Sequence, residues 1–178
     1  MDAGYFVGNR FFRAIPGFMV QWGIHGTPEI AQKWRAMPIT DDPVTESNVP
    51  YTLSFATSGK NARSSQIFIN TVDNDRLDEL GFAPFAKVVG GHDTVDDIYD
   101  AHGESPQQVK IYEHGNTWLK KKFPKLSYIT ATKKRGKGPG YPADYAAPDA
   151  PADLVNAADI AAKAAAAKRA AKAAGEGL

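Results

Sequence analysis

FFRAIPGFMVQWG, residues 11–23, holds two apolar runs on either side of Ile15-Pro16-Gly17. Proline presets one φ and glycine accepts angles that other residues resist, so the tripeptide is a turn signal. If the flanking runs are strands folded back across that turn, Met19 and Gln21 share a face by the two-residue period. Arg13 can then lie opposite them. One guanidinium, one amide and one thioether meet on a single surface.

Working outward, residues 9–14 and 18–24 form the two arms of this hairpin. A helix is expected over 29–37, with Ile30, Trp34 and Met37 at i, i+4, i+7 and Pro28 in its first turn. DDPVTESNVP, residues 41–50, is a loop by its Asp, Asn, Ser and Pro content. The strand YTLSFA, 51–56, alternates Tyr51, Leu53 and Phe55 with the smaller Thr52, Ser54 and Ala56, and the small face leaves room for something. A polar loop over 57–65 leads to a strand at 66–70, which sends Ile67 and Ile69 inward and Gln66 and Phe68 to the other side. Residues 73–81 hold a short turn or helix, 85–89 a further strand, and HDTVDDIYDAH after Gly91 a helix with acids early. Residues 108–112 and 126–132 are read as additional strands.

From Lys133 the composition changes. Residues 133–151 are rich in Gly and Pro and read as a linker. Residues 152–174 are mostly alanine with scattered Lys and Arg, and a helix is expected there, with Gly175 as its stop. The division is therefore a folded domain over 1–132, a linker over 133–151 and an Ala/Lys-rich helical tail over 152–178.

The 178-residue chain contains no cysteine, which excludes disulfides, thiolate chemistry and cysteine-held zinc. The histidines at 25, 92, 102 and 114 lack the i, i+4 pairing of a metal-binding helix, so no metal and no cofactor are expected. No apolar run approaches the roughly 20 residues of a membrane span, and the opening MDAGYFVGNR lacks the basic-then-apolar order of a secretory signal. Membrane insertion is not expected, and cytoplasm or an organelle lumen is the default compartment. Charge is uneven beneath a net +1: residues 1–118 carry 9 Lys/Arg against 15 Asp/Glu, whereas residues 119–140 carry 8 against none. The basic stretch 120–137 is either a solvated surface or a site for an acidic or nucleic-acid partner.

The block at 11–23, together with SSQIFIN at 64–70, resembles the cyclophilin family of peptidyl-prolyl isomerases, whose central motif reads F-H-R-x-I-P-G-F-M-x-Q-G-G. Two fixed positions differ: Phe12 replaces the usual histidine and Trp22 a glycine. The likeness continues through Leu77-Asp78 and GFAPFAKVVGG to about residue 100, and residues 115–129 look like the end of a bacterial-type branch. It implies a mainly β protein, a cyclophilin-like antiparallel β-barrel with two or three short helices. It also implies that some fifty residues, carrying two strands and a helix, are missing before this point, so that the barrel is incomplete.

By the same resemblance the activity is prolyl cis-trans isomerisation of X-Pro bonds in proteins, assisting folding. Arg13 is the donor to the prolyl nitrogen and Gln21 holds it in place. Phe18, Met19, Phe68 and Leu77 match the residues that line the proline pocket. Ala56, Thr57 and Gln66 match the positions along which the peptide lies, with Thr57 in place of an asparagine. Phe82 falls near a usual histidine. Arg76 stands where many members have a tryptophan that contacts cyclosporin, so weak binding of that drug is expected. Proline-containing peptides and proteins are the implied partners. A catalytically weak Pro-peptide binding or scaffold module in a larger assembly is the competing reading. Asp41-Asp42 reads as turn-forming rather than as an acid/base pair.

Overall fold

The computed structural model describes residues 4–133. The expected helical tail and all but the first residue of the linker lie outside the described residues, as do the basic residues 134–137. Residues Gly8–Ile129 form one compact unit, and the other unit joins Met1–Val7 with Thr130–Leu178. In that second unit residues 4–7 make a turn in which the Val7 N–H donates to the Gly4 carbonyl at 3.2 Å.

Within Gly8–Ile129 the strands are β1 (Arg13–Ile15), β2 (Met19–Trp22), β3 (Thr52–Phe55), β4 (Ile67–Asn70) and β5 (Pro84–Lys87). They form one antiparallel sheet in the order β1-β2-β4-β3-β5. Among the described residues this sheet stays open, with β1 and β5 at its ends. The hairpin turns through Pro16, Gly17 and Phe18, and Gly17 supplies the left-handed corner at φ +70°. Its register sets Arg13 directly opposite Gln21 and Ile15 opposite Met19. Gln21 in turn faces Phe68 on β4, and Phe68 faces Ser54 on β3. Strand alternation therefore gathers Arg13, Met19, Gln21, Phe68 and Ser54 on one face, leaving Val20, Trp22, Ile67 and Ile69 on the other.

The helices are α1 (Pro28–Arg35), α2 (Arg76–Glu79), α3 (His92–Asp96) and α4 (Gln108–Lys122). Helices α1 and α4 pack together around Phe12, Ile24, Ala31, Ile111, Tyr112, Leu119 and Leu126, all buried. The phenylalanine at position 12 is thus a core side chain, 1% exposed. Trp22, in a glycine's usual place, is buried with its ring 5.1 Å from that of Phe11.

Three expectations are corrected. Residues 108–112 begin a helix rather than a strand: Ile111, Tyr112, Gly115 and Leu119 are its buried positions, at helical spacing. Gly115 obscures that period, because it breaks the helix with φ 56° and ψ −147°. A side chain there would collide with the Gly26 carbonyl, its Cβ only 2.0 Å away. Residues 126–132 contribute a single bridge, Tyr128 to Arg10, instead of a strand. In β3, whose two faces the alternation left unassigned, the small face is the buried one: Thr52 and Ser54 are buried, while Leu53 and Phe55 are half-buried. The α1 stripe also shifts, since Ala31 is its buried residue and Met37 lies beyond its end, 45% exposed.

Candidate active site

The hairpin register and the β2–β4 pairing assemble a row of polar side chains. The Nη1 of Arg13 donates to Gln21 Oε1 at 3.3 Å and lies 4.0 Å from Met19 Sδ. Its guanidinium carbon sits 5.8 Å from the Phe18 ring centre. The amide of Gln21 donates onward to Gln66 Oε1 at 2.7 Å, and Gln66 donates to Gln108 Oε1 at 3.1 Å and Tyr112 Oη at 3.2 Å. Burial pushes the Tyr112 phenol up, against the smaller downward pulls of Gln66 and Arg35, so it stays protonated at neutral pH. At the other end Arg13 Nε pairs with Glu104 Oε2 at 2.6 Å.

Beside this row lies an apolar cluster. Met19, Phe68 and Leu77 are buried together, and Ile15, Phe18, Ala56 and Phe82 pack half-buried around them. The Phe82 ring meets Phe68 edge-on, 5.9 Å between centres. Two clefts flank the row. One, of about 550 Å³, is lined by Gln21, Ala56, Thr57, Gln66, Gln108 and Tyr112 among others. The second, of about 510 Å³, runs past Phe12, Arg13, Glu104, Pro106 and Val109. Thr57 turns its hydroxyl into its own loop, donating to the Gly59 carbonyl at 2.5 Å.

A buried polar hub braces the segments that carry this cluster. Asn48, fully buried, donates from Nδ2 to Asp78 Oδ1 at 2.6 Å and to the Phe82 carbonyl at 2.7 Å. Its Oδ1 accepts from Ser54 Oγ at 2.7 Å and Asn70 Nδ2 at 3.0 Å. Asn74 extends the chain, donating to Asn70 Oδ1 at 2.8 Å and to the Phe18 carbonyl at 2.9 Å. Burial alone would raise the Asp78 carboxyl, but donors from Ser47 and from the side chain and backbone of Asn48 outweigh it and hold the group below the usual carboxylate range.

The structure brings Arg13, Gln21, Phe18 and Met19 together, packs Phe68, Leu77, Phe82 and Ala56 into one apolar cluster with Met19, and puts Gln66 and Thr57 on one cleft. Sequence reasoning missed Glu104, Gln108, Tyr112 and Asn48. The i, i+4 pair Gln108 and Tyr112 was available as a signal, but a strand reading sends them apart. Asp41 and Asp42 both pair with the buried Arg63, at 3.1 Å and 3.0 Å, a structural clasp. Among the described residues no cluster of His, Cys, Asp and Glu has the makings of a metal site. No helix in that range is long and apolar enough to cross a membrane.

Among the described residues an open antiparallel sheet presents an arginine-glutamine row beside an apolar cluster. The family model for "Cyclophilin type peptidyl-prolyl cis-trans isomerase/CLD" matches residues 1–116, and the chain belongs to that family. It is 37% identical over 111 residues to peptidyl-prolyl cis-trans isomerase A of Dickeya dadantii, covering 59% of this chain and 58% of the relative. It is 37% identical over 121 residues to a peptidyl-prolyl cis-trans isomerase of Acinetobacter baylyi, with 60% and 64% covered. Peptidyl-prolyl cis-trans isomerase B of Escherichia coli is 36% identical over 104 residues, with 53% and 63% covered. The chain thus spans less than two thirds of the length of these curated relatives.

Proposed function

We propose that this chain is a peptidyl-prolyl cis-trans isomerase for X-Pro bonds in proteins, with Arg13 as the donor to the prolyl nitrogen. The barrier to rotation, roughly 18–20 kcal/mol, is the loss of amide resonance as the C–N bond twists. In the twisted state the nitrogen becomes pyramidal and accepts a hydrogen bond that it cannot accept when planar. A donor placed there lowers the barrier rather than merely strengthening binding.

One observation carries the reading. Nε and Nη1 of Arg13 are held by Glu104 and Gln21, while Nη2 has no partner among the described residues and the guanidinium adjoins Phe18 and Met19 of the apolar cluster. An arginine so held offers a permanent charge and a spare N–H to a proline ring seated on Met19, Phe68 and Leu77. The peptide flanking that proline would run along Ala56, Thr57 and Gln66, with Phe82 closing the far side. No bond is made or broken, so no cofactor is called for.

Isomerisation of an X-Pro peptide, followed by exchange NMR, tests the assignment. Arg13→Ala is expected to lower kcat/KM by about a hundredfold or more, the order lost with one transition-state donor. A loss under twofold overturns it. Peptide binding with no acceleration by the unaltered chain would favour the scaffold reading, for which the unpaired outer edge of β5 among the described residues is the supporting feature.

A further inference from the structure

Glu104 stands outside every motif that pointed to the groove, yet it makes the shortest contact to the arginine on which the proposed reaction turns. Its Oε2 accepts from Arg13 Nε at 2.6 Å, at the short end of charge-assisted N–H···O bonds. We propose that Glu104 is a positioning residue for the isomerisation, fixing the plane of the Arg13 guanidinium so that Nη2 faces the substrate imide. This rests on the function proposed above.

The backbone builds this pairing in. The N–H of Ala14, next to Arg13, donates to the carbonyl of Gly103, next to Glu104, at 3.2 Å. That bond fixes the register that brings the two charged residues side by side. The turn carrying Glu104 is braced from within: Gly103 N–H donates to the Asp100 carbonyl at 2.7 Å and Ser105 N–H to the His102 carbonyl at 2.9 Å. Gly103 takes the left-handed corner at φ +52°. The His102 ring is wedged edge-on between Tyr99 and Phe123, at 5.0 and 5.1 Å. Buried Pro106 then leads into α4. The carboxylate is therefore presented from a fixed support.

Two holds do what one cannot. Gln21 alone, at 3.3 Å on Nη1, leaves the guanidinium free to roll about its long stem. A second acceptor on Nε removes that freedom, which matters because a misplaced donor loses most of its effect on a barrier. The pair is worth little to folding, since its side chains are 28% and 63% exposed and such pairs are solvent-screened. Orientation is the effect that remains.

The test compares the full chain with Glu104→Ala, Glu104→Gln and the combination with Arg13→Ala, following isomerisation by exchange NMR and stability by urea unfolding. Glu104→Ala is expected to lower kcat about five- to tenfold, a fraction of the whole arginine's effect, with KM within about twofold and the unfolding midpoint unchanged. Glu104→Gln keeps an acceptor oxygen at the same reach and is expected to recover most of that loss. In the Arg13→Ala background Glu104→Ala should add nothing, because it acts only through the arginine. An unchanged or raised kcat in Glu104→Ala, no recovery with glutamine, or an effect that persists without Arg13 overturns the inference. If the unaltered chain itself gives no acceleration, the proposed function falls and takes this inference with it. If that chain is active but insensitive at position 104, only the inference falls.

Discussion

Replacing Asn48 by alanine tests whether the apolar cluster is held in place by the polar hub beside it. The amide makes two donations and two acceptances with no exposure to water. Asn70 keeps a second acceptor in Thr52 Oγ1 at 2.9 Å, and Asp78 keeps Ser47 and the Asn48 backbone. The fully buried Ser54 hydroxyl and the Phe82 carbonyl lose the partner that Asn48 provides. At about 1–3 kcal/mol for each buried polar group left unpaired, the expected loss is about 2–6 kcal/mol. That is a large share of the 5–15 kcal/mol that typically holds a domain. Urea unfolding reads the loss as a lowered midpoint with an unchanged slope. Peptide affinity should fall as well, since Leu77 and Phe82 stand on the segments that Asn48 ties together. Asn48→Asp is the sharper variant: it keeps size and acceptors but removes both N–H donors and brings a second carboxylate to Asp78. A loss below about 1 kcal/mol in Asn48→Ala, or an aspartate variant as stable as the original, refutes the reasoning.

Two further outcomes follow from the same region. Because the folded-state pKa of Asp78 is depressed, its contribution to stability is fully present above the unfolded carboxylate pKa of about 3.9 and is lost as pH falls through the lower folded value. Asp78→Asn should therefore flatten the acid side of the stability profile measured by urea midpoints from pH 5 downward, and an unchanged acid limb would contradict this. Arg76 opens α2 as an exposed side chain, so cyclosporin should bind weakly by calorimetry, and a low-micromolar or tighter dissociation constant would count against that expectation.

The hairpin was legible because its code is local. Pro16-Gly17 dictates the turn, and the turn dictates that position 13 faces position 21. Phe68's place in the apolar cluster was legible for a similar reason, since alternation in β4 puts it on the side of Gln66, opposite Ile67 and Ile69. The rest depends on long-range partners. Nothing near Glu104 in the chain says that it will meet Arg13, 91 positions away. Asn48 lies in a run that local composition reads as loop, yet it is fully buried because its partners come from β3, β4, α2 and the segment after α2. The start of α4 misled because five residues fit either period, and Gly115 interrupts the longer pattern that would have decided it. The inward turn of Thr52 and Ser54 inverts the usual expectation that larger apolar groups go inside, and the buried asparagines across from them are the reason.

Two separate groups of packed apolar side chains stand among the described residues. Phe12, Ile111, Leu119 and their neighbours knit α1 to α4, while Met19, Phe68 and Leu77 pack beside the Arg13–Gln21 row, and no residue belongs to both. Such a partition decouples durability from taste: the groove's lining can drift, or be rewritten in the laboratory, while the cement between the helices keeps the scaffold standing.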